Sequence, residues 1–315
     1  MPGPGDSSAP RGEVRVGLVG CGRLAQRGYA PAAARARGVR LAAVADPELE
    51  RCAATAPGVP AFAGVQELIA QGGVDAVVIA SPPGSHLEHA RAASGHGLAV
   101  LVEKPPAPDR AGAHALAELA PAPWLGLNRR FQPGLLRLRA RIGSEPVSAF
   151  SVVLHADNSD WRSYATRGDA LLDFAPHCID VVLWLSAQEA RRVRATEQSE
   201  DRCVLELELE RGRATLSCDR RSAYREEVEL AGPGLRWSLP APPLRRLRDR
   251  LTRSIGPDPL VASLARQLEA LAAVVRGDDP GPLATAADGV AVMAVVDAAR
   301  ASAATGGDWT AVDRP

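Results

Sequence analysis

Of the 37 lysine and arginine positions in this 315-residue chain, one is lysine and all the others are arginine. It is Lys104, in LAVLVEKPPAP, directly after an apolar run. Arginine keeps its proton in proteins, whereas a desolvated lysine can lose and regain one. A lysine at this place suits proton transfer, or hydrogen bonding to a reacting oxygen whose charge changes. The second stretch with chemical content is GDALLDFAPHCIDVVLWL, Gly168–Leu185. Asp173, His177 and Asp180 are spaced by four and three, so a continuous helix carries all three on one face. A carboxylate beside an imidazole sets its tautomer and tunes it as a base near neutral pH. Asp173 is also placed to cap that helix, with Pro176 tolerated in the first turn. Taken alone, an Asp-x-x-x-His pair serves structure more often than chemistry. Cys178, beside His177 but off its face, reads as core.

The third constellation is GLVGCGRLAQ, Gly17–Gln26. Gly20-x-Gly22-x-x-Ala25 follows a short β-branched run and precedes an Ala-rich one, which is the setting of a dinucleotide-binding turn. Gly20 permits the tight turn, Gly22 the close approach of backbone to a pyrophosphate, and Ala25 close packing of helix on strand. The helix start then offers its unpaired N–H groups to the phosphates. Gly20, Gly22, Arg23 and Leu24 form the candidate cradle. Asp46 ends the next strand, 26 positions after Gly20 (46 − 20). A carboxylate there accepts from the adenosine ribose and repels a 2′-phosphate, favouring NAD; Arg51 nearby keeps NADP as the alternative. Its other role is a helix cap before Pro47.

These residues need a frame. Strand runs VRVGLVG, LAAVAD, DAVVIAS, LAVLVE and WLGLN alternate with helical stretches at Leu24–Arg37, VQELIAQG, HLEHARAASGHG and AGAHALAELA. Such alternation predicts βαβ units and a parallel, doubly wound Rossmann sheet. Past Asn128 the rhythm changes. QPGLLRLRARIG reads as helix, VSAFSVVLHA as strand, and Phe174 to Trp184 as helix. RCVLELELERG and GRATLSCD alternate in steps of two around a Glu210–Arg213 turn, predicting a hairpin with one solvated face. REEVELAG and LRWSLPA extend that sheet. PAPPLRRLRDRLTRSIGPDP reads as a basic surface excursion, and two helices close the chain. The expected division is a disordered lead-in over 1–12, a Rossmann domain over 13–127, and an α+β domain with a largely antiparallel open sheet over 128–315. The last helix is expected to pack back on the Rossmann domain.

Apolar residues make up 46% and aromatics 4%, so the core is built from small aliphatic side chains. Lys+Arg and Asp+Glu balance at 37 each, which gives no argument for nucleic acid or a membrane surface as partner. Five cysteines, odd in number and without C-x-x-C, suggest neither a disulfide framework nor a zinc site. No apolar run reaches the roughly 18 residues of a membrane span, and MPGPGDSSAPRGE lacks a signal-peptide pattern. A cytoplasmic protein without a metal is expected.

SPPGSHLEHA, GHGLAVLVEKPPA and LGLNRRFQP together resemble the Gfo/Idh/MocA oxidoreductases, the glucose–fructose oxidoreductase and inositol dehydrogenase family, with Glu103-Lys104-Pro105 the most specific mark. The resemblance runs from about Val14 to Thr310. It implies an NAD(P)-dependent oxidoreductase of a sugar, polyol or related cyclic alcohol, with a small-molecule substrate and a homodimer or homotetramer. In that frame Lys104 contacts the reacting hydroxyl, Glu103 supports cofactor or lysine, and a cis peptide precedes Pro105. His177 is the acid/base, Asp173 orients substrate and lysine, and Asp180 is a secondary contact. Ser81 and Pro82 lie on the cofactor side; His86 either lines the nicotinamide or caps its helix. Asn128 and Arg129 reach toward substrate, as do His155, Trp161 and Arg162. The family's glycine is Ala175 here, which implies a methyl crowding nicotinamide or substrate. Two further readings fit the same fold: NAD-dependent redox-assisted glycoside cleavage, and a non-catalytic ligand sensor.

Overall fold

Strands buried on both faces build the first sheet. AVVI, for example, is buried at all four positions, as expected where helices cover a parallel sheet on each side. The computed structural model describes residues 12–142, 147–157, 168–233, 235–239 and 258–313. The expected lead-in, the basic excursion, Trp161 and Arg162 lie outside the described residues, save for Gly12 and Asp258–Pro259 at the ends of the first two. Strands β1 (Val14–Val19), β2 (Val39–Ala45), β3 (Ala61–Phe62), β4 (Ala76–Ile79), β5 (Ala99–Glu103) and β6 (Trp124–Gly126) pair in parallel, in the order β6-β5-β4-β1-β2-β3. Order reverses beside β1, the crevice where open α/β sheets bind ligands. Leu24–Arg37 is not one regular helix: a π turn spans Ala25–Tyr29 and a short α turn Ala30–Ala33. Gly28 explains part of this, since Leu264 of a later helix packs on its bare backbone.

The second sheet shows the two-residue rhythm. It comprises β7 (Ala149–His155), β8 (Ala190–Gln198), β9 (Arg202–Leu209), β10 (Gly212–Asp219), β11 (Arg225–Gly232) and β12 (Leu235–Leu239). Its order is β12-β11-β7-β10-β9-β8, antiparallel except where β7 lies parallel to β10. β9 and β10 form the expected hairpin, and their inward residues, such as Leu205, Leu207, Leu216 and Cys218, are fully buried. Helix Ala175–Ser186 packs on that inner face. β8 has only Val193 and Ala195 buried; its arginines pair outward with the next strand, Arg194 to Glu206 at 2.9 Å. That polar composition gave no strand signal.

The closing segment ties both sheets together. Helix Pro259–Arg276 lies on the first sheet, with Gln267 donating to the Leu125 carbonyl at 3.2 Å. β13 (Ala284–Thr285) adds antiparallel to β6, and β14 (Thr310–Ala311) to β8. Between them, helix Ala286–Ala304 starts at a Thr285–Asp288 capping box. It packs back on the first domain: Asp297 accepts from the Arg110 amide at 3.0 Å. Ser302 accepts from the Ala195 amide of β8 at 2.9 Å. Among the described residues no helix is long and apolar enough to cross a membrane.

Candidate active site

The glycine loop leaves β1 at Gly20, whose φ of +93° few other residues adopt. A Cβ there would also lie 2.5 Å from the Ser81 nitrogen. Gly22 differs: a Cβ would meet nothing within 4 Å, so open space faces it. The Arg23 Nη1 is buried without a hydrogen-bond partner, and an anion beside it would supply one. Leu24 packs against the apolar cluster beneath the loop. Asp46 is 7% exposed and both its oxygens are used: one accepts from the Cys21 amide, the other from the Glu48 amide, each at 2.9 Å. It is therefore a buttress of the loop, and the helix cap is Glu48 instead. An ionised carboxylate retains further acceptor sites. Arg51 is ion-paired with Glu48 at 2.7 Å.

At the end of β5, Glu103 faces the interior at 5% exposure. It accepts from the Tyr29 hydroxyl at 2.6 Å and from the Lys104 amide at 2.9 Å. Burial, then the Glu103 charge, holds the Tyr29 phenol well above its ordinary pKa, so it stays a donor. Gly126 leaves the room: a Cβ there would lie 2.8 Å from the Glu103 carboxyl carbon. Glu103 thus anchors the lysine's backbone. The Lys104–Pro105 peptide is cis. His86 lines no cleft; it is 1% exposed, its Nε2 2.8 Å from the Ser81 carbonyl and its Nδ1 3.2 Å from the Pro106 carbonyl. Burial lowers its pKa. It joins the loops after β4 and β5. Ser81 itself meets His89 at 2.9 Å, and Pro82 is exposed beside it.

Lys104 then crosses to the second domain. Its Nζ donates to the Asp173 carbonyl and to Asp173 Oδ1, both at 2.8 Å, with the side chain 16% exposed. The expected helix is broken: Ala170–Asp173 forms one turn capped by Asp169, and a second helix starts at Ala175 after Phe174. Pro176 has no N–H to continue the ladder, so Asp173 and His177 no longer share one regular face. Asp173 is not the cap, and no hydrogen bond joins it to the His177 ring. The His177 Nδ1 is buried without a partner. Burial, then the charges of Lys104 and Arg129, drives its pKa well below the usual histidine value. The imidazole is neutral across the neutral range. Ala175 is fully buried in the core, so its methyl crowds no cleft. Asp180 is also withdrawn: Arg130 grips it at 2.6 to 3.1 Å and reaches Asp288 at 3.1 Å. Burial outweighs that partner and raises the Asp180 pKa to about 6.

The remaining candidates divide. Asn128 is 9% exposed and donates to Ser263 at 3.0 Å, tying the crossing to helix Pro259–Arg276. Arg129 pairs with Glu226; burial opposes its charge, but Glu226 holds its pKa above the ordinary value. His155 meets Ser217 on the neighbouring strand at 2.9 Å, its pKa lowered by burial. Two residues were missed. Glu226, bonded also by Gln132 and Tyr224, sits in phase with the buried Val228 and Leu230. Arg220, 3% exposed, comes directly after β10 and continues the inward phase of Ala214, Leu216 and Cys218. A charge written at a core-facing step of an alternating strand is the signal that finds both.

Comparison with known proteins agrees with this fold. A profile of the Gfo/Idh/MocA oxidoreductase family, with its NAD-binding Rossmann fold, matches residues 14–122, and the family's C-terminal domain matches 145–234. An inositol 2-dehydrogenase/D-chiro-inositol 3-dehydrogenase of Shouchella clausii is 32% identical over 257 residues, 74% of each chain. The chain belongs to this family. An inositol 2-dehydrogenase of Corynebacterium glutamicum is 33% identical over 183 residues, 55% of this chain and 54% of that protein. That match thus spans about half of the relative's length. The family's fold is also seen in apo scyllo-inositol dehydrogenase from Lactobacillus casei (TM-score 0.81, 21% identity, 96% of this chain and 98% of that one). The same enzyme with bound NAD(H) and scyllo-inositol gives 0.78 at 21% identity, over 95% and 99% of the two chains. At that identity the likeness speaks to the Gfo/Idh/MocA fold.

Proposed function

We propose that this chain is an NAD-dependent oxidoreductase that interconverts a hydroxyl and a ketone on a cyclic polyol, inositols being the class to test first. The observation that carries the reading is the convergence of the sole lysine with Asp173 and His177, 69 and 73 positions away in sequence (173 − 104 and 177 − 104), at the ligand-binding edge of the first sheet. The relatives' names supply the substrate class.

Gly20, Gly22 and Arg23 would hold the pyrophosphate, through backbone N–H groups and the unpartnered guanidinium nitrogen. Asp46 would accept from the ribose, and its charge, with Arg51 occupied by Glu48, favours NAD over NADP. Bound NAD supplies the hydride acceptor. His177, held neutral by burial and two neighbouring cations, takes the hydroxyl proton. The Lys104 ammonium hydrogen-bonds the oxygen as its charge grows, and Asp173 holds the ammonium in place.

The direct test is NADH formation on adding NAD and myo-, scyllo- or D-chiro-inositol to the purified chain. Turnover of at least one is expected; silence across inositols and related sugars removes the reading. Gly22→Ala tests the cradle separately. Open space around Gly22 leaves the fold unchanged, while a methyl toward a pyrophosphate should weaken NADH binding about tenfold or more, roughly 1.4 kcal/mol. Unaltered NADH affinity would put the cofactor elsewhere.

A further inference from the structure

Tyr29 is nine positions past Gly20 (29 − 20), on the element that carries the candidate pyrophosphate cradle, and it is 2% exposed. It closes the π turn Ala25–Tyr29, in which the Ala30 amide donates to the Ala25 carbonyl. Such turns are rare and gather at functional sites. Helix Pro259–Arg276 packs hard on this turn, since a Cβ on Gly28 would lie 2.8 Å from Leu264. The Tyr29 ring belongs to an apolar cluster, a place that phenylalanine would fill as well. Its hydroxyl is the exception. It donates to Glu103 Oε1 at 2.6 Å, while Glu103 Oε2 accepts from the Lys104 amide at 2.9 Å. Burying a phenol with a carboxylate carries a desolvation cost that packing alone does not require. The pair therefore calls for a separate explanation.

We propose that Tyr29 is a positioning residue: through Glu103 it ties the backbone of Lys104 to the helical turn that follows the cofactor loop. The lysine crosses to the second domain on a flexible four-carbon stem, and its Nζ meets Asp173 at 2.8 Å. A stem of that kind places its ammonium only as well as its backbone is held, so the seat has to be firm. A hydrogen bond from a phenol to a carboxylate is charge-assisted and about twice as strong as a neutral one. The element that would hold the pyrophosphate thereby also seats the group that would meet the reacting oxygen. A small misplacement of such a group costs rate more than affinity. The inference rests on Lys104 meeting the reacting oxygen, as in the function proposed above.

The sequence offers a clean probe. With one lysine in the chain, lysine labelled with nitrogen-15 at its backbone nitrogen gives a single amide signal, and that amide is the one bonded to Glu103. Tyr29→Phe removes one oxygen and keeps the ring. In that variant the amide signal should move by more than its line width. On folded protein kcat for the polyol should fall about tenfold, with polyol KM and NADH affinity within about threefold of wild type. Glu103→Gln should lower kcat as well, and adding Tyr29→Phe to it should cost less than about twofold more, because Tyr29 acts through Glu103. A role in packing alone would lower the urea midpoint but leave the amide signal and kcat of the folded variant at their wild-type values, which overturns the proposal. Two losses that multiply in the double variant overturn it too, as does a Tyr29→Phe chain that no longer folds, since the hydroxyl would then serve the fold. The amide signal is read without polyol, so a displaced signal in a chain that turns over no polyol leaves the lysine's seat standing and removes only the assigned function.

Discussion

The segment Gly168–Ser186 carries two buried aspartates with opposite fates. Asp180 is saturated: Arg130 holds it through Nε and Nη2, and Asp288 completes the network from the start of the last helix. Among the described residues nothing titratable joins it except the second carboxylate, and the three charges bind the domain crossing, the His177 helix and the closing helix together. Asp173 instead accepts from Lys104 at 2.8 Å, with Arg220 at 3.8 Å. The His177 Nδ1, which feels the charges of Lys104 and Arg129, is buried without a partner. A network of permanent ion pairs fixes geometry; one that includes a lysine beside an unpartnered imidazole nitrogen carries groups suited to a substrate. The same residue type, seven positions apart, serves each.

The largest effect should come from breaking the closed network. Asp180→Ala leaves the buried Arg130 to the half-exposed Asp288 at 3.1 Å and should cost about 3 kcal/mol in urea unfolding. The double variant Arg130→Met/Asp180→Leu should recover most of it, since the buried pair is removed together and Asp288 keeps its hydrogen bonds from Thr285. A single-variant cost under about 1 kcal/mol would mean that the network is no lock. Next comes Lys104→Met, which should lower polyol turnover about a hundredfold, equivalent to about 2.7 kcal/mol. The urea midpoint should fall as well, because buried Asp173 loses its 2.8 Å partner and Arg220 stands 3.8 Å away, so turnover is compared on folded protein. Wild-type turnover in that variant would erase the distinction between the two aspartates. The smallest effect is the pH slope of stability. The His177 pKa is lowered in the fold, so below about pH 6.5 the unfolded chain takes a proton that the folded chain refuses. Stability is full above that pH and falls as pH drops, by up to about 1.4 kcal/mol per unit for this group. His86 acts with the same sign. His177→Gln should flatten the slope by up to one proton; an unchanged slope would place the ring in solvent.

Much of this was legible in the residues. The glycine loop, the parallel strands and the β9–β10 hairpin follow from short-range rules of turn chemistry and periodicity, whereas Lys104, Asp173 and His177 were singled out by the resemblance as much as by residue type. The family resemblance was legible too, through Glu103-Lys104-Pro105. What failed were inferences requiring two elements at once. His86 and Asn128 have types suited to a cleft, yet each is consumed by backbone or side-chain partners from another segment. β8 is too polar to look like a strand, and pairs because β9 offers an edge and opposite charges.

Sequence by itself determined which groups can change charge here and which runs of chain are strand or helix, because intrinsic acidity and side-chain periodicity are local properties. Tertiary structure alone decided that Asp173 serves lysine and arginine instead of histidine. A proline-broken helix separates the carboxylate from the imidazole, and a buried arginine just past the end of a distant strand comes to lie 3.8 Å from it.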